Sequence, residues 1–226
     1  MNHYFVTGTD TDVGKTQVAS ALLHLAVKQG LSTAASKPVA AGCDMTQVGL
    51  RNDDAQTLMA QSTQALPYET VNPVALAPPI APHIAAQQAG IELSVASLLP
   101  RVQQVLAGQA DFAVVEGAGG WRVPLSETQT LADLAQALRL PVIMVVGIRL
   151  GCISHALLTA EAIERDGLTL AGWVANIIDP DSACIADNIA TLKRRLSAPC
   201  LGEVPFLPEP NAALIAHYLS LPEVAS

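Results

Sequence analysis

The chain has 226 residues, half of them hydrophobic and 14% charged, with a formal net charge of −8. That length supports one substantial core, or two at most, and the composition excludes a disordered chain. The acidic balance excludes a sequence-independent grip on nucleic acid or an anionic membrane, so an anionic ligand must be drawn in locally by loop amides, lysines and a metal.

Tyr4, Phe5 and Val6 read as a short buried strand. Gly8 opens a loop that Gly14, Lys15 and Thr16 close, and an apolar-periodic helix follows through Val18, Ala19, Leu22, Leu23 and Ala26. Strand, glycine loop, GKT and helix together predict a phosphate-binding loop. Glycine frees the backbone to turn N–H groups toward an anion, and the helix start adds partial positive charge. In that pattern Lys15 reaches the β- and γ-phosphates and the Thr16 hydroxyl holds Mg²⁺. The loop places five residues, Thr9 to Val13, between its glycines, where the general pattern has four.

Gly30 ends the first helix, and Leu31 to Ala41 reads as one second strand. Lys37 falls near its carboxyl end, where open α/β sheets bind ligands, and is a candidate for the active site; the bland alternative is a snorkelling surface lysine. Gly42 to Arg51 reads as a loop. Asn52 or Asp53 then caps a helix. On spacing alone Asp54 is a first-turn acid that complements the helix dipole. Five prolines between Leu66 and Ala86 argue against a regular helix or central strand and predict an ordered loop that can cover a substrate. Helices are expected over Ile84–Ala89 and, more clearly, Ser94–Ala107.

Phe112 to Val115 reads as a buried parallel strand with Glu116 at its tip, followed by Gly117, Ala118, Gly119 and Gly120. A carboxylate there suits the acidic Mg²⁺ ligand of phosphate-loop enzymes, since an unpaired buried Glu would be costly. Then come a helix over Leu131–Leu138 and a strand over Leu140–Gly147. The Leu150–Ile153 turn leads into another helix, where Gly151 and Cys152 offer an anion-binding start. A strand over Leu170–Ile178 carries Asn176, a helix runs from about Ala183 to Leu196, and Cys200–Val204 is a last strand. Alternating strands and helices predict a single α/β domain over residues 1–226, a doubly wound, mostly parallel sheet with helices on both faces, of the P-loop NTPase kind.

With these residues placed, the sequence resembles the dethiobiotin synthetase family over nearly its whole length. The resemblance runs from TGTDTDVGKT through SKPVAAG, LRNDDA, VNPVALAPPIAPH, VVEGAGGW, PVIMVVG, LGCISHALLT and LAGWVAN to LGEVPFL. The five-residue loop is that family's own form. The resemblance implies an ATP-dependent cyclo-ligase of biotin biosynthesis, acting on 7,8-diaminopelargonic acid and CO₂ in a homodimer with the substrate near the interface.

It implies Lys37 and Lys15 as catalytic lysines, and Thr16, Asp54 and Glu116 as Mg²⁺ ligands. ATP would lie along Asp12, Val13, Gly14, Lys15, Thr16 and Gln17. Asp54 and Glu116, Gly117, Ala118 and Gly119 would border it too, with Asn176, Ile177 and Pro205, Phe206 and Leu207 at the adenine. The diamine would meet Thr11, Lys37, Ala41 and Gly151, Cys152, Ile153 and Ser154. Departures from the family's pattern fall on the diamine side: Ala41 for Ser or Thr, Ser154 for Asn, and Asn188 near the place of a tyrosine. Asp12 stands where Glu is common.

Other readings of the same fold are a nucleotide switch, an amidoligase and a small-molecule kinase. They are disfavoured by a loop without a lysine before Lys15, by the absence of length for a glutaminase domain, and by dispersed arginines. The longest apolar runs, such as Leu140–Ile148, are too short to span a bilayer, and nothing at the N-terminus reads as a signal peptide. Four scattered cysteines without a CxxC pair fit reduced thiols, so a cytoplasmic enzyme is expected.

Overall fold

The computed structural model describes residues 2–223. In chain order, β1 (Asn2–Gly8) and α1 (Lys15–Lys28) are followed by β2 (Thr33–Ser36), β3 (Val39–Ala41), β4 (Asp44–Thr46) and β5 (Gly49–Arg51). Next come α2 (Asp53–Ala60), α3 (Tyr68–Val71), β6 (Val74–Leu76), α4 (Pro82–Gln88), α5 (Val95–Leu106) and β7 (Phe112–Glu116). The C-terminal half holds α6 (Leu131–Leu138), β8 (Val142–Ile148), α7 (Cys152–Arg165), β9 (Leu170–Ile177), α8 (Ile185–Arg195), β10 (Cys200–Val204) and α9 (Ala212–Ile215).

Six strands form one sheet in the order β10-β9-β8-β1-β7-β2, and every pairing in it is parallel. Its central strands are covered on both faces, which is why β7 and all seven residues of β8 are buried. Alternation along β1 sorts side chains to two cores. Phe5 packs with Trp121, Trp173 and Ile163 on the side of α7 and α8, while Tyr4 and Val6 pack with Val18, Leu22 and Leu23 of α1. Among the described residues no helix is long and apolar enough to cross a membrane.

Three expectations are corrected. The single strand over Leu31–Ala41 is broken at Lys37–Pro38. Proline has no N–H to continue the ladder, and β3 leaves the main sheet to pair with β6, Val39 opposite Val74. The Gly42–Arg51 loop contains the β4–β5 hairpin, closed by Thr46 Oγ1 donating to the Gly49 carbonyl at 2.7 Å. The proline-rich stretch is not without regular structure. It contains α3, β6 and α4, with β6 confined to a two-stranded sheet and α4 opening on Pro82, where a missing N–H costs nothing. The final strand, Cys200–Val204, lies where the sequence predicts it.

Candidate active site

The loop between β1 and α1 wraps tightly. Gly14 has φ 85°, and a Cβ there would lie 2.2 Å from Asn176 Nδ2. That amide instead donates to the Val13 carbonyl at 2.9 Å and ties the loop to the end of β9. Lys15 is buried and donates to the Asp10 carbonyl at 3.1 Å. Burial, and then the neighbouring Lys37 ammonium, hold the Lys15 pKa below the usual lysine range. No acid in the first turn of α1 cancels its helix dipole at the loop. The Asp10 carboxylate pairs with Arg149 at the end of β8.

Three elements converge on Lys37. β2 ends at Ser36 beside Val115 of β7, so Lys37 and Glu116 emerge side by side at the carboxyl edge of the sheet. Asn52 caps α2 by accepting from the Ala55 N–H at 3.3 Å, which sets Asp54 in the first turn. Lys37 Nζ then lies 2.8 Å from Asp54 Oδ2, 2.5 Å from Glu116 Oε1 and 3.3 Å from the Gly117 carbonyl. Thr16 Oγ1 donates to the same Glu116 Oε1 at 2.7 Å. Burial alone would lower the Lys37 pKa, but Glu116 and Asp54 outweigh it and raise it. Burial would likewise raise the Asp54 pKa, and the Lys37 ammonium outweighs it and lowers it.

Glu116 Oε2 is buried with no hydrogen-bond partner, which leaves an acceptor beside the Thr16 hydroxyl and the Asp54 carboxylate. One hydroxyl and two carboxylates make a hard-oxygen set that fits Mg²⁺, which keeps water and phosphate oxygens for its remaining positions. Among the described residues there is no cluster of three His, Cys, Asp or Glu side chains that could bind a metal.

A cavity of about 1060 Å³ opens over these groups. It is lined by Thr11, Asp12, Gly14, Lys15, Thr16 and Gln17 of the phosphate loop and its helix, by Lys37, Ala41, Asp54, Ala118 and Gly119, and by Asn176, Ile177 and Pro205–Leu207. Val13 and Gly117 do not line it: Val13 is buried in the core, and a Cβ on Gly117 would lie 3.2 Å from the Phe5 ring. Gly151, Cys152, Ile153 and Ser154 do not border the cavity of the single chain. Cys152 is buried in the core, while Gly151 and Ser154 are exposed. Asn188, half-buried on α8, is also away from it.

The cavity has further walls, of which sequence reasoning missed Arg122 and Val123. Pro79 to Pro82 line it, as the proline density hinted, and so do Arg122 and Val123. Their signal was their place directly after GAGGW. Arg122 pairs with Asp166, whose Oδ2 also accepts from Trp121 Nε1 at 2.7 Å.

A family model described as an AAA domain matches residues 2–213. A Pseudomonas aeruginosa protein named ATP-dependent dethiobiotin synthetase BioD is 61% identical over 221 residues, 98% of this chain and 97% of its own length. A protein of the same name from Chromohalobacter salexigens is 56% identical, covering 98% of this chain and 99% of its own. Among solved structures, the signal recognition particle receptor FtsY of Elizabethkingia anophelis in complex with GDP aligns with a TM-score of 0.50 at 15% identity, over 94% of this chain. FtsY of Mycoplasma mycoides aligns at 0.51 and 14% identity, over 98% of this chain. This chain spans 58% and 64% of those two receptor chains, and the likeness is one of fold. With relatives this similar along their entire length, the chain belongs to the ATP-dependent dethiobiotin synthetase family.

Proposed function

We propose that the chain closes 7,8-diaminopelargonic acid onto CO₂ at the expense of ATP, giving dethiobiotin, ADP and phosphate. The observation that carries this reading is the meeting of Lys15, Thr16, Lys37 and Asp54 at one cavity beside the phosphate loop, with the buried Glu116 holding Thr16 and Lys37 together.

In this reading one amine adds to the carbon of CO₂ and loses a proton, leaving a carbamate. A carbamate oxygen attacks the γ-phosphorus, and the bond to the ADP oxygen breaks. The second amine attacks the carbonyl of the resulting mixed anhydride, expels phosphate and completes the cyclic urea. No step needs a side-chain nucleophile, so the protein acts by position and charge.

The Lys37 ammonium stabilises the carbamate and the transferring phosphoryl group, and Lys15 steadies the phosphates from the loop. Thr16, Asp54 and Glu116 would hold Mg²⁺, which when bound neutralises phosphate oxygens. Asn176 and Pro205–Leu207 receive the adenine, and Thr11 and Ala41 border the diamine. Gly151–Ser154 serve the carboxylate of a diamine bound by a second copy, since they lie outside the single-chain cavity. Leu150 and Leu158, 94% and 61% exposed on the same segment, give that copy an apolar seat.

The test is phosphate release from MgATP and bicarbonate, with and without the diamine, with the urea sought by mass. Strict dependence on the diamine and formation of the urea are expected. Slow release indifferent to the diamine would overturn the assignment and leave only an ATP site.

A further inference from the structure

Lys37 stands where the sheet stops holding the backbone. The β2–β7 ladder ends at Ser36 opposite Val115, and Pro38 offers no N–H to resume it. The backbone of Lys37 is held from elsewhere. Its N–H donates to the Val71 carbonyl at 2.8 Å, and its carbonyl accepts from Asn72 Nδ2 at 2.7 Å. Both partners belong to the corner between α3 and β6.

Asn72 is only 2% exposed, and its amide is fully used. Nδ2 also reaches the Val74 carbonyl at 3.3 Å, and Oδ1 accepts from the Tyr68 hydroxyl at 2.8 Å. The flipped amide would turn its oxygen toward two carbonyls, so the network fixes one orientation. The Tyr68 hydroxyl in turn accepts from the Asn52 N–H at 2.8 Å, and Asn52 is the cap of the helix that carries Asp54. The Arg51 guanidinium sits 4.1 Å above the Tyr68 ring and pairs with Glu69, which keeps the phenol in place.

We propose that Tyr68 and Asn72 are positioning residues that lock Lys37 and Asp54 into a common frame. This rests on the catalytic reading of Lys37 given above. One relay, Asn52 to Tyr68 to Asn72 to Lys37, spans from the start of α2 to the end of β2. Neither Tyr68 nor Asn72 touches the cavity, so their effect passes through the groups they hold. Small displacements of a charge-stabilising group weigh heavily on phosphoryl transfer, where geometry is most of the catalysis.

Tyr68→Phe removes one hydroxyl and keeps the ring beneath Arg51. Both hydrogen bonds of that hydroxyl, from the Asn52 N–H and to Asn72 Oδ1, are lost, and the resulting displacement of Lys37 and Asp54 is expected to lower kcat about fivefold, with KM for ATP within about twofold. A second readout does not depend on turnover. The chain has four lysines, so [¹⁵N]lysine labelling gives four backbone signals, and Lys37→Arg identifies the one from Lys37. That signal should move in Tyr68→Phe and in Asn72→Asp, while those of Lys28 and Lys193 stay. A stationary Lys37 signal, or kcat at the parent level, would overturn the proposal. So would movement of all four signals with a matching fall in melting temperature, which would make the network merely structural. If the parent protein forms no urea, the catalytic reading has failed, and the lysine signals alone decide whether the clamp exists.

Discussion

The Lys37 ammonium and the Glu116 carboxylate meet at 2.5 Å with side-chain exposures of 4% and 0%. They sit on neighbouring strands, one position beyond the last paired residues, and Thr16 donates to the same carboxylate oxygen. A buried charge pair of this kind is costly to break from one side, because the partner is left charged and dry.

Lys37→Ala should therefore lose turnover and stability together. Removing one member of a buried pair costs about 3–5 kcal/mol. Urea denaturation without nucleotide measures the loss. Adding Glu116→Gln to Lys37→Ala should return part of the stability and none of the activity. Near-normal turnover in the single variant would remove Lys37 from the mechanism.

Thr16→Val keeps the side-chain shape and deletes the hydroxyl that faces Glu116. The Mg²⁺ concentration for half-maximal activity should rise by about tenfold or more. A titration of activity against Mg²⁺ at fixed ATP shows it, and an unchanged half-point would contradict a metal role for Thr16.

Gly14 and Gly151 both have left-handed φ, at 85° and 93°, but different surroundings. Alanine at Gly151 meets nothing within 4 Å, so it should cost only the backbone strain, about 1–2 kcal/mol. Alanine at Gly14 must also push away Asn176 Nδ2, 2.2 Å from the new carbon, and break its bond to Val13. ATP affinity by calorimetry should collapse in Gly14→Ala and survive in Gly151→Ala. Equal affinities would mean that the loop tolerates the displacement.

Stability should fall in acid in part through Asp54. The Lys37 ammonium holds its pKa below the ordinary carboxylate value. Its contribution is thus complete above about pH 4, the unfolded value, and is lost as pH drops through the lower folded value. Lys37, with its pKa raised, behaves oppositely: its contribution is complete below about pH 10.4 and fades as pH climbs through the higher folded value. Denaturation of the parent and of Asp54→Asn between pH 6 and pH 3 should show a gap that narrows toward acid. A constant gap would mean that Asp54 adds nothing through its charge.

Periodicity and glycine punctuation made the central strands legible. β1, β7 and β10 fall within a few residues of their predicted places because each is a short apolar run bounded by a turn or helix signal. Lys15 and Thr16 could be picked out because they close a glycine loop between a strand and a helix, and Glu116 because it ends a buried apolar strand. Asp54 could not, since nothing local says that the first turn of α2 faces Lys37. The β3–β6 pair was hidden for the same reason. Three-residue strands have no period to read, and the pairing of Val39 with Val74 is a property of the whole chain. Tyr68 and Asn72 lay in a stretch whose prolines pointed to a loop.

The strand order also bears on synthesis. β1 pairs only with β7 and β8, and β2 only with β7. A nascent chain that has emerged as far as Asp111 thus has two main-sheet strands and no neighbour between them. Phe112–Glu116 is the piece that joins them, and its last residue is the carboxylate that Thr16 and Lys37 bind. Closing loops of that span is slow compared with local helix formation. On the ribosome the same five residues therefore join the first two main-sheet strands and complete the Thr16–Lys37–Glu116 cluster, before β8, β9 and β10 extend the sheet, and a polypeptide cut short of them holds the phosphate loop without the partner that gathers it.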